Sequence, residues 1–216
     1  MMTRSPLLLI TVCWMAFIST PLCSAEPQQG RTGKQPASAT ENKRLLDATI
    51  LGRPKDVRPA LDNGADPNTR DDSGMTPLGN AASYPDEISV QLLLERGADP
   101  NVREINGLTP IMLTAGHPDS DAGRTGKMVK VIKLLLKHGA KINAQDSRGN
   151  SALIDAAWWG NARVVQILLN NGADIRMRNK HGSTALKMAS GKGTTPQRQQ
   201  QLQATVKLLK HAGANE

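Results

Sequence analysis

The dipeptide Gly-Ala occurs five times in this chain, at Gly64, Gly97, Gly139, Gly172 and Gly213, with gaps of 33, 42, 33 and 41 residues. Each copy closes an apolar run with helical spacing. A period near 33 marks a solenoid, because a unit that short cannot bury its own apolar face and must stack on its neighbours. Such an array predicts a broad binding surface rather than an enclosed active site.

Aligned on those glycines, the units share a longer pattern. Gly64-Ala65-Asp66-Pro67-Asn68 matches Gly97-Ala98-Asp99-Pro100-Asn101, Gly139-Ala140-Lys141-Ile142-Asn143 and Gly172-Ala173-Asp174-Ile175-Arg176. A second glycine follows at Gly74, Gly107, Gly149 and Gly182, and two residues later a helix is expected to start. The starts read Thr76-Pro77-Leu78, Thr109-Pro110-Ile111, Ser151-Ala152-Leu153 and Thr184-Ala185-Leu186. A Thr or Ser hydroxyl there accepts from a free amide of the first turn. Proline directly after it loses nothing, since its missing N–H would be unpaired anyway.

A second helix precedes each Gly-Ala. Its apolar positions are Val57, Ala60 and Leu61, then Val90, Leu93 and Leu94, then Ile132, Leu135 and Leu136, then Val165, Leu168 and Leu169. This spacing lines one helix face and predicts a buried stripe. The glycine that follows suits a left-handed helix terminus.

These motifs resemble the ankyrin repeat: a hairpin tip, a Thr-Pro-Leu helix, a short turn, a Leu-Leu helix and a Gly-Ala-Asp exit. The resemblance covers residues 41–216 and implies an all-α solenoid of about five helix-turn-helix units joined by β-hairpin-like loops. The units are expected at 41–70, 71–103, 104–145, 146–178 and 179–216. The family's histidine after Thr-Pro-Leu is replaced by Gly79, Met112, Ile154 and Lys187, so its hydrogen bond to neighbouring loops is not expected. The ends read as caps: the first unit lacks the hairpin and the Thr-Pro start, and in the last one Lys210 replaces a leucine and residues 197–203 are polar.

Arg4, the apolar run 7–18 and Cys23-Ser24-Ala25 read as a secretory signal peptide over 1–25, cleaved near Ala25. The run is too short to span a bilayer, so no stable membrane insertion is expected. Leu22 stands where lipid-attachment sites take a small residue, which disfavours lipidation of Cys23. Residues 26–40, rich in Gln, Gly, Pro, Ser and Thr, are expected to be a disordered leader. Cys13 and Cys23 would leave with the signal, and a thiol-free chain suits an oxidising compartment. No Asn-x-Ser/Thr acceptor occurs, so a periplasmic or secreted location is expected, leaning to the periplasm.

The formal charge of +8 falls to +7 without Arg4, with Lys and Arg spread through every unit. That suits a solvated exterior, or else acidic proteins, anionic lipid or nucleic acid. Without a recognition helix, zinc spacing or a stacking platform, nucleic acid is not an expected partner. His117, His138, His181 and His211 lack partners at ligand spacing, so no metal is expected. The Gly-Lys segments 123–127 and 191–195 fail the phosphate-loop pattern: Asp121 stands for the leading glycine of the first, and Met128 for its hydroxyl. No Gly-x-Ser-x-Gly elbow exists, and neither a catalytic residue nor a cofactor is expected.

By the resemblance, recognition combines hairpin tips with the exposed side of the first helices. Positions that vary between units there are Asp72, Ser73, Met75, Ser83 and Tyr84 in the second unit, and Ile105, Asn106, Leu108 and His117 in the third. The fourth has Ser147, Arg148, Asn150, Trp158 and Trp159, and the fifth Lys180, His181, Ser183 and Lys192. After signal removal the only aromatics are Tyr84, Trp158 and Trp159, all at two alignment positions ending a first helix. Aromatics dominate interface hot spots, so the candidate site is Trp158, Trp159 and Tyr84 with His117, Arg148 and Asp155. The competing reading packs the aromatics into seams between units. Two insertions, 119–127 and 191–201, are expected as solvated loops on the edge opposite the hairpin tips.

The expected function is that of a non-enzymatic, exported, monomeric protein-interaction module. Two alternatives stand beside it: an envelope scaffold whose basic surface contacts anionic lipid or glycan, and, by analogy, a periplasmic protein that neutralises a toxin or supports an enzyme.

Overall fold

The structure, a computed structural model, describes residues 39–118 and 122–215. The expected signal peptide (1–25) lies outside the described residues, as does the leader (26–40) except for Ala39 and Thr40, which form the first turn of a helix. Five helix pairs follow: α1 (Ala39–Ile50) and α2 (Pro54–Asp62), α3 (Pro77–Ser83) and α4 (Glu87–Glu95), α5 (Pro110–Ala115) and α6 (Ala122–Lys137), α7 (Ala152–Trp159) and α8 (Ala162–Asn170), α9 (Ala185–Ala189) and α10 (Pro196–His211). The described residues contain no strand; the hairpin-like tips are turns.

The predicted caps set the first helices. Thr76, Ser151 and Thr184 accept from the amides of Gly79, Ile154 and Lys187. Thr109 departs from the expectation, because its buried hydroxyl makes no cap bond. The first helices pack side by side as one layer and the second helices as another. Between the layers lie Val57, Ala60, Leu61, Val90, Leu93, Leu94, Ile132, Leu135, Val165 and Leu168, all buried. Leu136 and Leu169 differ from the prediction in being only half-buried at the margin of the core, whereas Leu61 and Leu94 in the same register are buried. The helices exit as expected: at Gly64 φ is 89°, and the Gly64 and Ala65 amides donate to Leu61 O and Ala60 O. That paired 5→2 and 6→1 closure requires the left-handed turn.

Side-chain ladders bridge the seams. Asn68 Nδ2 donates to Gly97 O (3.0 Å) while its Oδ1 accepts from Asp99 N (2.9 Å). Asn101 and Asn143 repeat this toward Gly139 and Lys141, then Gly172 and Asp174. Arg176 ends the series. A second ladder runs Arg70, Arg103, Gln145, each donating to a carbonyl of its own tip and to one at the next unit.

The missing family histidine is compensated once, in an unexpected way. Asp71, Asp146 and Asn179 each cap their own tip, accepting from amides two and four residues on. Glu104 holds the same register but is one methylene longer, and it reaches back to the Thr76 amide (3.2 Å) and hydroxyl. It fills space that Gly79 leaves: a Cβ on Gly79 would collide with the Glu104 carboxylate. The Glu104 tip closes instead through a 3-10 turn, Ile105–Gly107, with Asn106 left-handed at φ 59°.

The insertions correct the loop expectation in part: residues 191–195 lie outside any helix, as expected, and residues 119–121 fall outside the described residues. Residues 122–127 and 196–201 are helical, so α6 and α10 run 16 residues each against nine for α4 and α8. Thr195 caps α10 by accepting from the Arg198 amide. Pro196 then occupies the first turn, where proline suits a helix start.

Candidate protein-binding site

Three registers of the repeat converge on one groove of about 760 Å³. The residue before each cap contributes Met75, Leu108 and Asn150. The fourth residue past each cap contributes Asn80, Leu113, Asp155 and Met188, all half-buried. The eighth contributes Tyr84, His117 and Trp159, with Trp158 beside it. The stacking of first helices thus converts a position in the unit into a row across four units.

All six candidate residues, Tyr84, His117, Arg148, Asp155, Trp158 and Trp159, line this groove. Other variable positions, among them Ile105 and His181 on the tips and Lys192 between α9 and α10, are not among its lining. Tyr84 is 68% exposed and Trp158 47%, whereas Trp159 is half-buried. Both tryptophans lie under the Arg198 guanidinium, at 5.8 Å and 5.2 Å from their ring centroids, and Arg198 also donates to Trp158 O (2.9 Å). The sequence reading missed Arg198, Asn80, Leu113 and Met188. The last three share the register of Asp155 and could have been found by extending that column; Arg198 comes from an insertion and has no register.

The polar centre is a chain of amides and acids. Asn179 Nδ2 donates to Asn150 Oδ1 (3.0 Å), and Asn150 Nδ2 to Asp155 Oδ1 (3.2 Å). Burial, reinforced by repulsion from Asp146, pushes the Asp155 carboxyl up to about 6; Arg148 and the Asn150 bond oppose the shift. Arg148 is itself paired with Asp146 (3.2 Å). Burial and then the Arg124 charge hold His117 below the usual histidine range against a hydrogen bond with the Ser83 backbone, which keeps it neutral at neutral pH. At the first tip, partial burial pushes Asp71 up, but bonds from Ser73, Met75 and Asn80 outweigh it and hold the carboxyl low. The groove therefore offers aromatic faces, thioethers and a few fixed donors and acceptors, a composition suited to contact rather than bond-making.

Among the described residues no three His, Cys, Asp or Glu side chains are grouped to hold a metal ion. No helix among them is long and apolar enough to cross a membrane.

The family model for ankyrin repeats matches this chain in three overlapping stretches, 45–146, 89–179 and 120–215. The chain belongs to the ankyrin-repeat family. Ankyrin repeats are protein–protein interaction modules, typically without enzymatic activity, and the groove lies on the first helices of this ankyrin array.

Proposed function

We propose that this ankyrin-repeat protein is an exported, non-enzymatic module that holds one partner protein in the groove between Tyr84 and Trp159. The observation that carries the reading is the convergence of the three aromatics of residues 26–216 with Arg148, Asp155 and His117 on a single concavity. A half-exposed tryptophan fixed by a neighbouring guanidinium presents a large surface already held in place, so docking costs little conformational entropy. Export rests on the apolar run and small-residue site of the first 25 residues.

The test is affinity capture with the chain beginning at Glu26, followed by titration of the captured protein. Trp158→Ala is expected to weaken binding by about 2 kcal/mol, roughly 30-fold. Full affinity in both Trp158→Ala and Trp159→Ala, with unchanged melting, removes the tryptophans from the interface. Amino-terminal sequencing of the exported chain, expected to begin at Glu26, tests the export half.

A further inference from the structure

We propose that the outer face formed by α6, α8 and α10 is a docking surface for an anionic lipid bilayer. These three helices carry nine Lys and Arg and no Asp or Glu. The two earlier second helices differ: α2 balances two basic residues with two acids, and α4 has two acids and no base. The whole chain has a net charge of +8, so the excess is concentrated here rather than spread evenly.

Packing forces the charge outward. Met128, Val131, Ile132 and Leu135 bury one side of α6 completely. Lys127, Lys130, Lys133 and Lys137, spaced by three and four residues, occupy the opposite side and are exposed. Because α8 packs between α6 and α10, Arg163, Lys207 and Lys210 extend the same field, all exposed. Among the described residues only Lys130 of these seven makes an ion pair, with Glu87 of α4 at the border (2.8 Å). The four lysines span about 15 Å along α6, and the three helices about 20 Å across.

The chemistry favours a bilayer over a protein. Protein interfaces are depleted in lysine at their centre and enriched in aromatics. Six of the seven exposed cations are lysines, and the large exposed apolar residues, Ile50, Leu51, Tyr84, Ile88, Ile105 and Trp158, all lie elsewhere. Lysine is a mobile point charge that suits a surface of many equivalent headgroups, without the fork geometry that a defined acidic site rewards. With no large exposed apolar side chain on the described residues of these helices to insert, the contact is peripheral and salt-sensitive. None of the groove residues comes from α6, α8 or α10, so the two surfaces can act together.

Residues 39–215 contain their own core, so the chain beginning at Glu26, free of the apolar run 7–18, is the material for the test. Sedimentation with mixed phosphatidylglycerol–phosphatidylcholine vesicles is expected to deplete it, and with pure phosphatidylcholine not. Binding is expected to vanish in about 1 M salt, where the Debye length is ~3 Å. Each lysine at an anionic surface contributes roughly fivefold, so joint Lys133→Glu, Lys137→Glu, Lys207→Glu and Lys210→Glu should lose at least ~100-fold. A control with the same charge change elsewhere, Lys43→Glu, Lys55→Glu, Arg58→Glu and Lys180→Glu, should retain most of the binding. The corresponding Lys→Gln set repeats the test should reversal lower the melting temperature. Equal loss in both variant sets, undiminished binding to phosphatidylcholine, or no vesicle binding overturns the proposal. Tighter retention by duplex DNA or by polyglutamate than by vesicles overturns it too, and names nucleic acid or an acidic protein as the occupant.

Discussion

Asp155 holds its proton more tightly in the folded chain than in the unfolded one, with its carboxyl pushed up to about 6 from the ordinary 3.8. Because the folded value is the higher one, its stabilising contribution is complete below pH 3.8 and is lost as pH climbs through about 6. Above that range the fold keeps a half-buried carboxylate beside Asp146. Asp155→Asn removes the charge and leaves an oxygen for the Asn150 amide. Variant and parent are therefore expected to melt alike near pH 4, and the variant to be more stable by ~1–3 kcal/mol near pH 8. Thermal melts across that range check it; a difference independent of pH rejects burial of the charge as the cause. The columns containing Asp155, Tyr84 and Trp159 were legible, because each residue keeps its distance from a Thr or Ser cap. The Glu104 pairing with Thr76 was not, since Gly79 reveals nothing until the residue filling its space is known.

Helix starts and exits in this array are local events, governed by caps and left-handed glycines, and both could be read in advance. The lengthened α6 and α10 could not. Their extra residues are Gly-, Lys- and Gln-rich, which reads as loop, yet each continues a helix whose far end is already anchored in the core. Adding a turn to an existing helix avoids the nucleation cost that would defeat such a sequence alone. The consequence is Arg198, carried by α10 onto Trp158 and Trp159. Arg198→Ala is expected to cost about 1 kcal/mol in stability and to shift tryptophan emission to the red as the rings gain water. In a chain beginning at Glu26 these are the only tryptophans, so an unchanged spectrum would exclude the stacking.

An array of stacked units has no single centre, and its stability is the sum of seams. Leu168, fully buried in α8, packs in the fourth of five pairs. Leu168→Ala is expected to cost ~2–5 kcal/mol through lost burial and a residual cavity. The loss should spread, because α8 touches both α6 and α10 and the Asn143 bridge ties the third unit to the fourth. Hydrogen exchange read unit by unit checks this: increased exchange confined to α7 and α8 would show that the seams do not couple. The same stacking separates two surfaces, a contact groove on the first helices and a basic field on three of the second helices.

The period, the caps, the leucine stripe and the Gly-Ala exits were written in the chain, because each depends on residues within about one helical turn and recurs in every unit. So were the candidate groove residues, whose rows follow from repetition once units are known to stack. Two features depend on groups far apart in the chain meeting in space, the Glu104–Thr76 contact and the Arg198 stack. A third, the raised Asp155 carboxyl, depends on burial by packing added to the charge of Asp146 nine residues away. Each arises where a unit departs from the repeat, and a departure has no register from which its partner can be found; only packing supplies one.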